Sequence, residues 1–179
     1  MAFLLAAWMQ PTLAQFDDAW LKKRATGLWQ LGYYHQSRGS LDSAIKIYQR
    51  SIDTFPTAEA YTFLGWALSF KDQYGAAIEN CMKAIDIDPE FGNPYNDIGA
   101  YLIELGRDQE ALPWLEKATR ARRYCCYEFA WTNLGRLHLR RGRIGDARAA
   151  FRRALEYDPR NPLALEGLTA LAEGRAPNF

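Results

Sequence analysis

The sequence has few of the residues from which catalytic, metal and disulfide sites are built. Its 179 residues include three cysteines and two histidines, with no C-x-x-C pair and no Cys/His cluster at zinc-ligand spacing. An odd cysteine count, with Cys125 and Cys126 adjacent, does not resemble a disulfide framework and mildly favours a reducing compartment. Motifs of hydrolases, zinc proteases, dinucleotide-binding enzymes and phosphate-binding loops are also absent. We therefore predict that the protein is not an enzyme and uses no metal or cofactor.

A hydrophobic run long enough to cross a membrane is also missing. The apolar stretch Ala2 to Met9 is far shorter than the ~20 residues that a membrane-spanning helix needs. It is similar to the core of a secretory signal, but the basic leading region is missing and the cleavage site near Ala14 is poor. Two interpretations of residues 1–15 stay open: an apolar helix packed on the rest of the protein, or a signal remnant. We favour a cytoplasmic location, and the second interpretation would imply a periplasmic or secreted one.

Charge is nearly balanced in total but uneven along the chain. The net charge is +1, so nucleic acid is not expected as a partner. From Arg120 to Arg160 there are eleven arginines against four acids, whereas residues 1–119 carry ten basic and fifteen acidic groups. A solvated surface is the commonest reason for such an arginine run, and an acidic protein partner is the next.

The stretch of residues 131–159, WTNLGRLHLRRGRIGDARAAFRRALEYDP, has helical periodicity in two halves. Gly142 separates the halves, and the second helix is expected from Asp146 to Tyr157. Small residues recur where two helices must approach closely. The landmarks are Trp131, Leu134, Gly135, His138, Ala147, Phe151, Ala154 and Pro159. A hairpin of this kind cannot bury its apolar face without neighbours.

These offsets resemble the tetratricopeptide repeat, whose pattern is W-x2-L-G-x2-Y, then A-x3-F, then P. The pattern occurs three more times upstream, with landmark glycines at Gly32, Gly65 and Gly99. The glycine spacings are 33, 34 and 36 residues, so the third repeat is the irregular one. It also has Arg123 in place of the terminal proline, and we expect a longer or rearranged loop there.

The resemblance implies an all-α fold, an α-solenoid of helix–turn–helix repeats wound as a right-handed superhelix. We divide the chain into an N-terminal apolar segment with the start of the first helix (1–24), four repeats (25–57, 58–91, 92–127 and 128–159) and a C-terminal capping helix with a tail (160–179). The first helix is expected to begin with Asp17 or Asp18 as its cap. The capping helix is expected from Asn161 to Ala172, with an apolar face of Leu163, Leu165, Leu168 and Leu171.

The histidines and cysteines are interpreted through their places in the repeats. His35 and His138 occupy equivalent positions that are leucine in the other repeats, so we predict core roles for both. Cys81 aligns with Phe151 and is predicted to be a small buried residue. Packing, rather than reactivity, is the preferred role of Cys125 and Cys126.

In this family, partners bind the concave groove lined by the first helix of each pair. The resemblance places an aromatic set in the first two repeats and a polar, basic set in the last two. These candidate groove residues are Trp29, Tyr33, Phe63, Trp66 and Phe70, and Asn96, Asn133, Arg136 and Arg140. Exposed aromatic residues are typical binding hot spots, and amides and guanidinium groups can hold a peptide backbone or an acidic side chain. The alternative is that Trp29, Phe63 and Phe70 pack beneath the N-terminal segment and meet no partner.

We predict a non-catalytic protein–protein interaction scaffold that binds a peptide or protein segment in the concave groove, with an acidic segment as one option. The alternative is an assembly or export accessory factor of bacterial type, acting at or beyond a membrane. Relatives that bind the C-terminal carboxylate of heat-shock chaperones use lysine and asparagine where this chain has Trp29 and Tyr33, so that clamp is not expected. The sequence does not indicate an oligomeric state.

Overall fold

The structure is a computed structural model that describes residues 13–177, with side chains described from Asp17 onward. This part of the chain is built from α-helices, and its only β-bridge is an isolated one between Phe91 and Arg123. The helices are α1 (Leu13–Ser37), α2 (Leu41–Thr54), α3 (Ala58–Ser69), α4 (Tyr74–Ile87), α5 (Gly92–Glu104), α6 (Asp108–Ala118), α7 (Tyr127–Arg140), α8 (Ile144–Tyr157) and α9 (Pro162–Glu173). The all-α prediction is confirmed.

The helices pack as successive pairs. The most extensive contacts are within α1–α2, α3–α4, α5–α6 and α7–α8, and each second helix also contacts the first helix of the next pair. The first helices touch one another in the order α1, α3, α5, α7 and α9. They therefore form one continuous layer, which corresponds to the concave side of an α-solenoid.

The landmark glycines explain why the repeat pattern produces this packing. Each sits on a first helix against one residue of its second helix, and an added Cβ would collide with that side chain or, at Gly65, with the backbone oxygen of Ala77. The pairs are Gly32 with Tyr48, Gly65 with Cys81, Gly99 with Leu115 and Gly135 with Phe151. The position that is cysteine in the second repeat is therefore fully buried, as predicted.

Helix α9 behaves as the first helix of a fifth, unfinished pair. Gly167 packs on the opposite edge of the Phe151 ring from Gly135. The side chain of Asn161 accepts a hydrogen bond from the Ala164 N–H at the start of the helix, and Gly174 ends it with φ +66°. The C-terminal capping helix is thus observed, and it extends the concave layer by one helix.

Three boundaries or faces differ from the sequence-based expectations. Helix α1 begins at Leu13, so Asp17 or Asp18 is not its cap. Residues 13–16 include leucine, alanine and glutamine, which have high helix propensity, so the helix can begin before the aspartates. Helix α8 begins at Ile144, two residues before Asp146. Leu163 and Leu165 of α9 are exposed, because small residues, Ala164 among them, form the face that packs on α8. The apolar stretch Ala2–Met9 lies outside the described residues.

The connection between α6 and α7, residues 119–126, is longer than the other connections between the described helices, as expected. It does not loop away from the stack. The Arg123 N–H donates to the Glu90 carbonyl at 2.9 Å, and the Gly92 N–H donates to the Arg123 carbonyl at 3.0 Å. The irregular junction is therefore hydrogen-bonded to the preceding turn of the solenoid.

The same connection contains a disulfide between the adjacent Cys125 and Cys126, which the odd cysteine count did not predict. Counting rules concern disulfides that join distant segments, whereas this bond joins sequence neighbours and links no two helices. Cys125 is exposed and Cys126 is half-buried.

Candidate functional site

Helices α1 and α3 bring the five predicted aromatic residues into one contiguous group, which we call the aromatic cluster: Trp29, Tyr33, Phe63, Trp66 and Phe70. Spacings of three or four residues place the members of each helix on one face. Trp29 stacks on Phe63 with ring centroids 5.0 Å apart, and Trp66 lies 5.5 Å from Phe70. Tyr33 joins the two helices through contacts to Phe63 at 5.5 Å and Trp66 at 6.3 Å. These separations lie in the favourable range for aromatic pairs.

The aromatic cluster is part core and part surface. Trp29 and Phe63 are half-buried and pack against the apolar core between α2 and α3. In contrast, Phe70 is 61% exposed and Tyr33 is 47% exposed. Trp29 and Phe63 thus contribute to the core, while Phe70, Tyr33 and the half-buried Trp66 present ring surface to solvent. The N-terminal segment that would cover Trp29, Phe63 and Phe70 in the alternative interpretation lies outside the described residues.

The predicted polar residues also meet, in a hydrogen-bonded series that we call the polar chain: Asp97, Asn96, Asn133, Arg136 and Glu104. It crosses from α5 to α7. Asn133 donates from Nδ2 to Oδ1 of Asn96 at 2.9 Å, and Asn96 donates to Oδ1 of Asp97 at 3.2 Å. Arg136 donates to Asn133 at 3.3 Å and to Oε1 of Glu104 at 3.0 Å.

Both predicted groove arginines have acidic neighbours from the preceding repeat, which the sequence-based prediction missed. Arg136 pairs with Glu104, and Arg140 donates from Nε to Oδ2 of Asp108 at 3.1 Å. The partners of each pair are 32 residues apart, which is close to one repeat period. Opposite charges at this spacing, Glu104 on α5 and Asp108 at the start of α6 against two arginines of α7, were the available signal. The basic half of the groove is therefore largely neutralised within the chain itself.

Asp97 differs from these acids. Its carboxyl is half-buried, and no salt bridge joins it to a basic residue of the described chain. Burial raises the pKa of Asp97 to about 7, and the hydrogen bond from the Asn96 amide opposes that rise only in part. A cation placed next to this carboxyl would stabilise its ionised form.

A cavity of about 590 Å³ lies at the C-terminal end of the layer, between α7 and α9. Its apolar wall contains Leu139, Ile144 and Leu171, and Arg136, Arg140 and Arg175 also line it. Arg175 is held by Glu166 at 2.6 Å and by Glu173 at 2.6 Å. The sequence-based prediction did not include Ile144, Leu171 or Arg175, because it treated α9 as a cap rather than as another helix of the concave layer. The volume is in the range of small-ligand pockets.

The remaining chemically interesting residues take no part in a site. His35 and His138 are half-buried rather than fully in the core, and burial lowers the pKa of His138. Burial raises the pKa of the Cys81 thiol. Within residues 13–177, His, Cys, Asp and Glu side chains form no group of three or more that could hold a metal ion. No helix in that range is long and apolar enough to cross a membrane.

Comparison with known proteins gives matches along most of the chain. Sequence models of the tetratricopeptide repeat match residues 58–91, 95–123 and 128–161. The human mitochondrial import receptor subunit TOM70 is 26% identical over 135 residues, which are 74% of this chain and 22% of that protein. Small glutamine-rich tetratricopeptide repeat-containing protein 2 of Mycosarcoma maydis is 31% identical over 107 residues, 60% of this chain and 30% of that protein. The chain thus spans less than a third of the length of these relatives.

Several solved structures have a similar fold. Pseudomonas aeruginosa pilF superposes with a TM-score of 0.78 at 22% identity, covering 88% of this chain and 70% of that one. PilW, described as a type IV pilus biogenesis factor, has a TM-score of 0.76 at 21% identity, with 83% and 69% covered. YrrB, described as a TPR protein with an unusual peptide-binding site, has a TM-score of 0.61 at 22% identity, with 84% and 78% covered. At these identities the likeness concerns the fold.

The repeat matches agree with the helix pairs, with the glycine contacts inside each pair and with the fold of these structures. The chain belongs to the tetratricopeptide repeat family.

Proposed function

We propose that the protein is a non-catalytic scaffold that binds a peptide or protein segment in its concave groove, with the aromatic cluster as the main contact. The observation that carries this proposal is the aromatic cluster itself. Five rings, each in contact with at least one other, lie along two adjacent first helices, and Phe70 at the end of α3 is 61% exposed. Exposed, contiguous aromatic surface of this kind is typical of protein interaction sites.

The relatives support the general role. The human relative is named as an import receptor subunit, and the structure of YrrB is described by its peptide-binding site. Those descriptions belong to those proteins. They favour a binding function for the same layer of helices in this chain, and they give no reason to propose catalysis.

The residues of the groove suggest which part of a partner each of them would contact. An apolar or aromatic side chain would pack on Trp66 and Phe70. The half-buried Asn133 amide, which has a second N–H besides the one donated to Asn96, would hydrogen-bond to the partner's backbone. An acidic segment would bind only by replacing Glu104 or Asp108 at the two groove arginines. We therefore propose apolar contact as the first determinant of binding and acidic contact as a secondary one.

The test uses a display library of random dodecapeptides selected on the immobilised full chain. Peptides that are enriched are synthesised, and their affinities are measured by fluorescence anisotropy. Truncating a hot-spot aromatic costs at least ~2 kcal/mol, so Trp66→Ala and Phe70→Ala should each weaken binding by roughly 30-fold. Circular dichroism should show unchanged helix content.

Trp20→Ala is the matched control, because Trp20 is 58% exposed on α1 but lies on the other side of that helix from Trp29. It should bind the selected peptides as the wild type does. Equal loss in Trp20→Ala and Trp66→Ala, wild-type affinity in the cluster variants, or no enriched peptide at all would each contradict the proposal.

The alternative, an accessory factor of bacterial type for assembly or export at or beyond a membrane, would use the same groove. The pilus biogenesis factor described above shares the fold with this chain, and at 21% identity that likeness alone does not favour the alternative. Mass spectrometry of the mature N-terminus in the native host tests it. An intact Met1 or Ala2 would contradict export through a cleaved signal.

A further inference from the structure

Asp97 occupies a central place in the concave layer. It lies on α5, the helix that contacts both α3, which bears three residues of the aromatic cluster, and α7, which bears the groove arginines. It is the terminal member of the polar chain, held by the Asn96 amide at 3.2 Å. A partner that covers both halves of the groove must therefore cross the helix that carries Asp97.

Two other carboxylates, those of Glu104 and Asp108, are paired with arginines, and that of Asp97 is not. Glu104 is paired with Arg136 at 3.0 Å, and Asp108 is paired with Arg140 at 3.1 Å. For Asp97, the described residues provide one neutral amide donor and no salt bridge. Glu104 and Asp108 each pair with a guanidinium group of α7, whereas Asp97 has no ion pair with a described residue.

The groups that surround Asp97 cannot supply that charge. The Asp97 charge interacts electrostatically with Cys81 on α4, with Tyr101 on its own helix and with Tyr124 in the junction before α7. Burial raises the pKa of all three above its ordinary value, so each is neutral near pH 7. Ser69 of α3, which faces the Tyr101 hydroxyl, is also uncharged. None of these four neighbours presents a positive charge to the carboxyl.

We propose that Asp97 binds a positively charged side chain, lysine or arginine, of the peptide that occupies the groove. The proposal rests on the proposed function and specifies the chemistry of the partner. The cation would pair with the Asp97 carboxylate, and the neighbouring rings on α3 would offer additional cation–π surface. The partner is then a segment with an apolar or aromatic residue for the aromatic cluster and a basic residue for Asp97.

The experiment repeats the dodecapeptide selection on the wild-type chain and on Asp97→Asn. The asparagine keeps the size of the side chain and can still accept the Asn96 hydrogen bond. Peptides selected on the wild type should be enriched in lysine or arginine together with apolar residues. Selection on Asp97→Asn should keep the apolar enrichment and lose the basic one.

Affinity measurements make the result quantitative. At about pH 8, where an aspartate of this pKa is ionised, replacing the selected lysine by norleucine should weaken binding to the wild type by about tenfold, since hydrogen bonds to charged groups exceed neutral ones by roughly that factor. The same replacement should change binding to Asp97→Asn by less than about twofold. Asp86→Asn, an exposed α4 variant with the same change of net charge, should behave as the wild type.

The outcomes separate this inference from the proposed function. Retention of the basic preference in Asp97→Asn, or equal loss in Asp86→Asn, would overturn the inference and leave groove binding intact. Selection of acidic peptides would overturn it in favour of contact with Arg136 and Arg140. Failure to enrich any peptide would refute the proposed function and this inference together.

Discussion

Arg123→Ala is the substitution that most directly tests how the irregular third repeat is joined to the second. The guanidinium of Arg123 donates from Nε to Oδ2 of Asp88 at 2.7 Å and from a terminal nitrogen to Oε1 of Glu59 at 2.9 Å. The central guanidinium carbon, Cζ, lies 3.9 Å from the centre of the Phe91 ring. One side chain from the end of the third repeat thus reaches α3, the end of the second repeat and the start of α5.

The magnitude follows from the exposure of these groups. The side chain of Arg123 is 44% exposed, and those of Glu59 and Asp88 are each 31% exposed. Ion pairs at this exposure contribute roughly 0.2–1 kcal/mol each, and an exposed cation–π contact contributes about 0.5–1 kcal/mol. We expect Arg123→Ala to lower the free energy of unfolding by about 1.5 kcal/mol, a fall in Tm of roughly 3–6 °C for a chain of this length.

Arg122→Ala is the matched control, because the neighbouring arginine is 90% exposed and has one pair, to Glu90 at 3.5 Å. It should change the free energy of unfolding by less than about 0.5 kcal/mol. Urea denaturation followed by circular dichroism gives both values. In about 1 M NaCl the Debye length falls to about 3 Å, so the gap between Arg123→Ala and the wild type should narrow but keep its cation–π part. Equal stability of the two arginine variants would refute this account of the junction.

Two further substitutions test the packing and the electrostatics of the concave layer. In Gly135→Ala the new Cβ would overlap the Phe151 ring, so the free energy of unfolding should fall by about 1–3 kcal/mol. In the control Gly145→Ala on α8, the new Cβ meets nothing within 4 Å, and the change should be neutral or slightly stabilising. Urea denaturation measures both variants, and equal effects would contradict this prediction. Burial raises the pKa of Asp97 from its ordinary 3.8 to about 7, so its contribution to stability is complete below about pH 4 and is lost as pH rises through 7. Asp97→Asn should therefore gain stability relative to the wild type by up to about 1.4 kcal/mol per pH unit across that window, and a difference independent of pH would show that Asp97 ionises normally.

The repeat fold could be predicted from sequence because its strongest requirement is local. Wherever a first helix carries the landmark glycine, the second helix carries the residue that fills the space, as Gly135 and Phe151 show. Both members recur at nearly constant spacing, so pattern alone identifies them. The turn after the first helix is less strict: Gly142 adopts φ +70°, and in the second repeat Asp72 takes the equivalent place with φ +56°.

The sequence predicted which residues belong to the candidate site, but not how they pair with one another. Repeat position correctly placed Trp66 and Phe70 on the layer of first helices, because position within a repeat determines which side a residue faces. It could not show that Arg136 is paired with Glu104, since that contact depends on how two successive repeats are rotated against each other. It could not place Arg123 either, because that residue lies where the family pattern fails.

The distribution of charge in the groove changes what the arginine run implies about a partner. From sequence alone, a solvated surface is the commonest reason for the excess of arginine after residue 120, and an acidic partner is the next. In the folded chain, Arg136 and Arg140 face carboxylates supplied by the preceding repeat, so an acidic ligand would exchange one ion pair for another and gain little. Asp97 has no such pairing, so a cationic ligand there would replace no existing ion pair and would remove the penalty of a half-buried carboxyl. The charge that determines partner choice in this groove is therefore expected to be a single aspartate rather than the many arginines.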